Sequence, residues 1–184
     1  MMLDVQHASF PGPHSASRSR CAEQIESLVR PDQAQVSAGA LFDGSLAHLP
    51  WLQELPDPLT TAMWSSWVEL NVKTAETLGI ADGDVGEVAS AHGSLRAPVV
   101  ISPGIGPDAA AMPVGQGHET FTRYASGRGA NPLAILAPVA EPSTGQLAWA
   151  ATRVKITKIS GADGSLILFA GATRERPEHA RGRG

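Results

Sequence analysis

From residue 41 onwards, this sequence is a series of short apolar segments that are each closed by a glycine or proline turn. The chain holds 19 glycines and 14 prolines among 184 residues, and only 17% of its residues are charged. Turns this frequent leave room for strands but not for long helices, so the pattern favours mainly β structure. The clearest strand is residues 149–159, where Thr152, Val154 and Ile156 alternate with charged side chains, as a half-buried strand requires.

The other helices and strands are predicted from capping residues and turn residues. Asn71 can cap a short helix that Gly79 then ends, and His92-Gly93 can join two strands as a hairpin. The remaining strands are predicted where short apolar runs lie between turns: residues 64–70, 84–90, 95–101, 109–114 and 166–170, the last of which closes the sheet.

Residues 1–40 differ in character, because they are rich in polar residues and proline and hold few large apolar groups. Such a segment buries too little to offset its ordering entropy, so we expect a poorly ordered N-terminal arm. Within it, residues 21–29 could form one short helix, since Ile25, Leu28 and Val29 fall on one face. One domain over residues 41–172 and a basic tail over residues 173–184 complete the expected organisation.

Charge and cysteine content exclude several classes of function. A net charge of −4 gives no reason to expect a nucleic-acid partner. The sequence has no apolar run near the ~20 residues of a transmembrane helix and no leader-like segment, so a cytoplasmic location is the default expectation. The alternative is that a partner carries the chain to the periplasmic face of a membrane complex. Cys21 is the single cysteine, which excludes an internal disulfide and a cysteine-ligated zinc or iron–sulfur site.

The first informative motif is NVKTAETLGIADGDVGEV, residues 71–88. It combines a strand end, a short helix and a tight turn, in which Gly83 supplies an unusual backbone conformation and Asp84 can cap nearby amides. Turn chemistry alone would account for these residues one by one. As a unit, however, the motif resembles the signature of double-psi β-barrels, which include the last domain of molybdopterin oxidoreductases and substrate-recognition domains of some ATPases.

The second motif is MPVGQGHETFTRYASGRGANPLAIL, residues 112–136. Its glycines let the main chain approach a ligand closely. Arg123 and Arg128 supply paired donors suited to phosphate or a pterin edge, and Asn131 offers both a donor and an acceptor. A connection of this length without an apolar run is usually functional or disordered, so we define residues 115–131 as the glycine-rich loop and expect function there.

Together with HLPWLQELPDPLTTAMWSSWVELN, residues 48–71, these motifs resemble the C-terminal molybdopterin-dinucleotide-binding domain of the molybdopterin oxidoreductase family, in its large-chain type that partners with iron–sulfur subunits. The resemblance covers residues 41–171. It implies a mainly β fold, a six-stranded double-psi β-barrel with short helices. It also implies the cofactor molybdopterin guanine dinucleotide, shared with other domains. The expected partners are those remaining domains and an iron–sulfur subunit.

The resemblance also implies which residues contact the cofactor, since the loop equivalent to residues 115–131 reaches the bound pterin in that family. It implies no catalytic or metal-ligating residue in this chain. Thr60 and Thr61 are weaker candidates from an earlier loop. The stronger candidates are Gln116, Gly117, His118, Arg123 and Asn131.

Three functions remain open from the sequence. The first is a cofactor-binding lid domain, not catalytic on its own, because the family's full chains carry three preceding domains. The second is a cofactor-free structural subunit of a respiratory electron-transfer complex, which an exposed apolar surface around Trp51 and Leu52 would support. The third is a double-psi barrel adaptor that binds other proteins, which a charged groove would support.

Overall fold

The computed structural model describes residues 24–27, 41–107, 109–148, 151–169 and 173–174, the first and last of these as backbone strands only. Short strands predominate, as the sequence predicts: β1 (Gln24–Ser27), β2 (Ala62–Met63), β3 (Val68–Leu70), β4 (Val85–Ala89), β5 (Ser94–Ile101), β6 (Ala109–Ala111), β7 (Thr152–Ile159), β8 (Leu166–Leu168) and β9 (Thr173–Arg174). The helices are α1 (Pro50–Gln53), α2 (Val72–Leu78), α3 (Thr122–Ala125) and a 3-10 turn at Pro132–Ile135. Over the described ranges, no helix is long and apolar enough to cross a bilayer.

Five strands form one curled sheet in the order β6-β3-β5-β4-β7. The predicted hairpin is confirmed, because β4 and β5 pair antiparallel from Val85↔Pro98 to Ala89↔Ser94. Strand β3 lies parallel to β5 and antiparallel to β6, so the chain must cross over between neighbours. The backbone of β1 pairs with both edges of this sheet, parallel to β6 and antiparallel to β7.

The predicted role of residues 166–170 as the closing strand of the sheet is wrong. Strand β8 instead pairs with β2 and β9 in a separate three-stranded sheet. Leu166 is buried with Trp67 and Val100, and the backbone N–H of Phe169 donates to Thr61 O at 2.9 Å. Burial of Leu166 against residues distant in the sequence accompanies this pairing, and the local sequence carries no sign of it.

The N-terminal helix expected over residues 21–29 is also wrong, since Gln24–Ser27 is a strand. Backbone pairing with β6 and β7 outweighs a local preference for helix, as tertiary context often does. The rest of residues 1–40 lies outside the described residues, so the poorly ordered arm stays a prediction. Trp149 lies outside them as well, and β7 begins at Thr152.

Two predicted strands are shorter than expected. The first begins at Val68 rather than at Trp64, whose backbone lies in the left-handed region with φ 61° and cannot continue a strand. The other ends at Ala111 instead of continuing to residue 114. Pro113 lacks the N–H that a sheet partner would need, which explains the early end.

The main core lies inside the curled sheet, where β-branched residues of β4, β5 and β7 meet those of β3. The predicted alternation in β7 is confirmed, because Thr152, Val154 and Ile156 are buried between exposed neighbours. The predicted ends of α2 are confirmed as well. The Asn71 side chain accepts from Lys73 N at 2.9 Å, and Gly79 ends the helix with φ 64°.

A buried carboxylate ties the turn before β4 to β7. Asp84 is 1% exposed, and its Oδ2 accepts from Ala81 N at 2.8 Å, as expected of a capping aspartate. The same oxygen lies 2.5 Å from Lys158 Nζ. Because the carboxylate is out of water, these partners hold it far more firmly than a surface ion pair would.

Removal of this carboxylate should destabilise the fold. Asp84→Ala leaves the Ala81 N–H without its acceptor and breaks the tie to Lys158, so we expect a loss of about 2–3 kcal/mol in the free energy of unfolding. Glu87→Ala is the matched control, because Glu87 pairs with Arg96 at 4.0 Å on the surface and should cost less than about 1 kcal/mol. Urea denaturation of both variants measures the difference, and equal losses would contradict the assignment.

Candidate functional site

The glycine-rich loop folds back on itself rather than spreading over the surface. Gly117 N donates to Arg128 O and Gly127 N donates to His118 O, each at 2.8 Å. Helix α3 forms the tip between these two arms. The loop therefore has a defined conformation that its own backbone maintains.

A serine ties the end of the loop to the segment before β3. Ser66 Oγ accepts from Ala130 N at 2.7 Å and donates to Ala130 O at 3.3 Å. Ser66 is fully buried, so both bonds are shielded from water. This contact joins residues 64 positions apart in the chain and sets where the loop leaves the sheet.

The side chain of Gln116 points inward. It donates from Nε2 to Gln53 Oε1 at 2.6 Å, and Gln53 Nε2 donates to Ala47 O at 2.8 Å. Both glutamines are buried, at 6% and 2% exposed. Gln116, predicted as a cofactor contact, is therefore placed where it joins the loop to α1.

His118 packs against the aromatic ring of Phe121, with ring centroids 5.0 Å apart. Phe121 in turn meets the ring of His48 edge-on at 5.4 Å. The Nε2 atom of His118 is buried and has no hydrogen-bond partner among the described residues. An unpaired buried nitrogen is costly, so this atom is a candidate for a ligand contact.

The two arginines of the loop both lie on aromatic rings. The guanidinium of Arg128 sits 4.4 Å from the ring centre of Trp64, and its Nε is buried without a partner in the described part of the chain. Arg123 is exposed, lies 4.5 Å from the ring centre of Tyr124 and donates to the Tyr124 hydroxyl. Stacking on these rings holds the two guanidinium groups of the loop in place, and most of their N–H donors stay free.

The other predicted site residues are placed apart from these. Asn131 is exposed, and its Oδ1 accepts from Leu133 N at 3.0 Å as the cap of the 3-10 turn. Thr60 Oγ1 donates to Asp57 Oδ2 at 2.9 Å, while Thr61 is exposed with φ 58°. The two threonines thus belong to a separate turn, and among the described residues neither has a hydrogen bond to the glycine-rich loop.

Between that turn, α1 and the base of the loop lies a cavity of about 370 Å³. Of the predicted site residues, only Gln116 lines it. Sequence reasoning missed Trp64 as a site residue and took it for a core or interface anchor, because nothing in the sequence signals its left-handed backbone or its stack with Arg128. The cavity is lined by Leu41, Leu52, Gln53, Leu55, Pro56, Asp57, Pro58, Ala62, Met63, Trp64, Ser65, Trp67, Pro113, Val114 and Gln116.

Comparisons with known proteins agree with this architecture. The family model described as "Molydopterin dinucleotide binding domain" matches residues 54–152. A curated relative, the "Menaquinone reductase, molybdopterin-binding-like subunit" of Nitratidesulfovibrio vulgaris, is 38% identical over 92 residues, which cover 50% of this chain and 13% of the relative. The solved structure of acetylene hydratase from Pelobacter acetylenicus superposes with a TM-score of 0.51 at 18% identity. That match covers 74% of this chain and 18% of the hydratase, and it shows a common fold.

The close approach of the two loop arms makes a test of the loop geometry. A Cβ at Gly117, where φ is 86°, would overlap the backbone nitrogen of Asn131, whereas a Cβ at Gly127, where φ is 69°, would meet nothing within 4 Å. Gly127→Ala should therefore cost only the left-handed strain of about 1–2 kcal/mol. Gly117→Ala should cost roughly 2 kcal/mol more in the free energy of unfolding, because backbone must move. Equal costs in denaturant titrations would show that the arms do not meet as described.

Proposed function

The chain belongs to the molybdopterin-dinucleotide-binding domain family of the molybdopterin oxidoreductases, and from that membership we propose that it acts as the lid domain over the cofactor of a molybdenum-dependent oxidoreductase. One observation carries the proposal. The glycine-rich loop lies within the matched residues 54–152, it has a defined conformation, and two of its buried nitrogens have no hydrogen-bond partner among the described residues. The chain spans only 13% of the curated relative's length. In this proposal, other domains supply the remaining cofactor surface and the catalytic residues.

The donors of the loop fit a molybdopterin dinucleotide. This cofactor bears phosphates and a heterocycle, and the loop offers His118, Arg123 and Arg128 against the single acid Glu119. We propose that the exposed Arg123 and Asn131 contact the cofactor directly. The unpaired nitrogens of His118 and Arg128 would complete the donor set. When bound, the cofactor supplies redox-active molybdenum, and its guanine form is part of the proposal.

Gln116 and Gly117 would act differently from the other candidates. The amide of Gln116 is already paired with Gln53, and the N–H of Gly117 already donates to Arg128 O. Their role in the proposal is to shape the loop so that its cations face the ligand. Thr60 would hold the Asp57 turn in the same manner, and the exposed Thr61 would meet a cofactor held by the other domains.

For the fold, we propose the finer description of a six-stranded double-psi barrel. The pairing of β1 with both β6 and β7 supports a sixth strand, and the parallel pairing of β3 with β5 supports a crossed connection. In the sequence, residues 78–88 of the first motif agree with a double-psi barrel.

Variants that separate ligand binding from folding test the lid proposal. Asn131→Asp keeps an oxygen to cap the 3-10 turn but loses the Nδ2 donor and adds a negative charge, and Arg123→Gln removes an exposed cation. Each should weaken cofactor retention by about tenfold or more, because a hydrogen bond to a charged group is worth ~1.5–3 kcal/mol. The melting temperature should change little, because both side chains are exposed.

The measurement needs the chain joined to the remaining domains of the larger protein, in trans or by fusion. Retention is followed as molybdenum content and as pterin released on denaturation. Arg153→Gln is the control, since Arg153 is an exposed arginine of β7, away from the loop. If Arg123→Gln and Asn131→Asp retain as much cofactor as Arg153→Gln does, the loop is not the cofactor site.

An exposed apolar surface favours a second candidate function, a cofactor-free structural subunit that docks on an iron–sulfur partner in an electron-transfer complex. Trp51 is 63% exposed and Leu55 53% exposed, although Leu52 packs inward against Leu41 and Ala47. Large exposed apolar side chains in one segment mark interaction sites. The cavity found here is mainly apolar, so it does not support the third alternative, an adaptor with a charged groove.

Docking through α1 can be tested without the cofactor. Trp51→Ser should lower co-purification with the proposed iron–sulfur subunit by about tenfold or more, because exposed tryptophans are frequent binding hot spots. Val139→Ser is the control, since Val139 is 48% exposed on another segment. Both variants should keep the parent melting temperature. Equal recovery of the partner with both variants would argue against docking through Trp51.

A further inference from the structure

The tip of the β4–β5 hairpin is bonded to the 3-10 turn that follows the glycine-rich loop. Ser90 Oγ donates to Ile135 O at 2.6 Å, and it accepts from His92 N at 3.0 Å. The backbone N–H of Ser90 donates to Gly93 O at 2.8 Å, within the hairpin. The hydroxyl of Ser90 therefore uses one bond to shape the hairpin tip and the other to join that tip to the turn.

A second contact between hairpin and turn leaves little room for a side chain. A Cβ at Gly93 would lie 3.3 Å from Ala134 O and 3.7 Å from the side chain of Ile135. The first distance is shorter than an ordinary van der Waals contact, so the backbone of the hairpin already touches the turn. Ile135 is 2% exposed and belongs to the main core. The core and the hairpin tip thus hold the turn together.

This turn in turn sets the direction of the Asn131 side chain. Asn131 Oδ1 accepts from Leu133 N at 3.0 Å, and its backbone O accepts from Ala134 N at 3.2 Å. Only the oxygen of an amide can accept, so the bond to Leu133 places Oδ1 on the turn and leaves Nδ2 as the outer atom. Among the described residues, no hydrogen bond to Nδ2 is formed, and Asn131 is exposed.

The backbone of Asn131 is also confined from the side of the loop. A Cβ at Gly117 would overlap Asn131 N, so the first arm of the loop packs directly on that peptide. Asn131 therefore lies between two supports, the loop arm and the turn. Because the hairpin braces the turn, a change at Ser90 can displace Nδ2 without any change in the loop itself.

We propose that Ser90 is a positioning residue for the ligand contact at Asn131. Ser90 acts through Ile135 and the turn, and the hairpin tip fixes the point from which Nδ2 donates. A hydrogen bond weakens steeply as its distance and angle depart from the optimum, so a small shift of the turn is enough to weaken the contact. The ligand contact rests on the proposed function, whereas the support by Ser90 can be tested on the chain without a cofactor.

The side-chain amide of Asn131 reports on the support directly. Its ¹H–¹⁵N signal in the 184-residue chain is identified as the one that Asn131→Asp removes. Ser90→Ala should move this signal, because the turn loses its brace, and Ser90→Thr should leave it near the parent position, because the hydroxyl is kept. Ser94→Ala is the control, since Ser94 is exposed on the same hairpin. A signal that moves no further in Ser90→Ala than in Ser94→Ala would overturn the proposal.

A second variant presses on the turn from the hairpin and keeps the hydroxyl. Gly93→Ala brings a methyl group against Ala134 O and should also move the Asn131 amide signal. Gly104→Ala is the matched control, because a Cβ there would have no atom nearer than 3.8 Å, and neither glycine has a left-handed backbone. If Ser90→Ala does not fold, this pair decides, and equal spectra at Asn131 for both alanine variants would refute the support.

Cofactor retention in the chain joined to the remaining domains tests the consequence for binding. Ser90→Ala should weaken retention by about fivefold, the effect of one lost hydrogen bond, and Ser90→Thr should stay within about twofold of the parent. The double variant Ser90→Ala/Asn131→Asp should lose no more cofactor than Asn131→Asp alone, because both changes act on one contact.

The outcomes separate this inference from the proposed function. If Asn131→Asp retains the cofactor, the lid proposal fails at this contact whatever Ser90 does. If Asn131→Asp loses the cofactor while Ser90→Ala retains it, the contact stands and the positioning role of Ser90 is wrong. Losses that add up in the double variant would show that Ser90 acts elsewhere, and they would also overturn the proposal.

Discussion

The paired amides of Gln53 and Gln116 join two parts of the chain that lie far apart in the sequence. One lies at the end of α1, before the sheet begins, and the other opens the glycine-rich loop after β6. Because both amides are out of water, loss of either one strands the other without a partner, at a cost of about 1–3 kcal/mol. Together with the bonds between Ser66 and Ala130 and the ring contact between Phe121 and His48, this contact fixes the position of the loop.

Two surfaces with different chemistry result from that arrangement. The outer side of the loop presents Arg123 and Asn131 with free donors, and stacking on Tyr124 holds Arg123 in place. On the inner side, Gln116 lines a mainly apolar cavity. The same segment can therefore present cations to an anionic cofactor on one side and line a mainly apolar cavity on the other.

The family match places this chain among molybdopterin-dinucleotide-binding domains, and the fold agrees with the solved acetylene hydratase at a TM-score of 0.51. The curated relative is a subunit described as molybdopterin-binding-like, and this chain covers 13% of it. The two proposed functions use different faces of the domain. The glycine-rich loop would contact a cofactor, and the surface around Trp51 would bind a partner subunit. Single side chains on the two faces can be altered separately, because among the described residues no hydrogen bond or ring contact joins Trp51 to the loop.

The sequence by itself determined the elements whose causes are local. Asn71 and Gly79 bound a helix through their own backbone preferences, the β4–β5 hairpin follows from its turn, and the alternation in β7 marks its buried face. The position of the glycine-rich loop was also readable, since no apolar run crosses it. Only the tertiary structure decided that Gln24–Ser27 is a strand, that β8 leaves the main sheet, and that Gln116 points inward. These outcomes rest on pairings between residues far apart in the chain, and local sequence does not encode the free energy of contacts that form only when the whole domain closes.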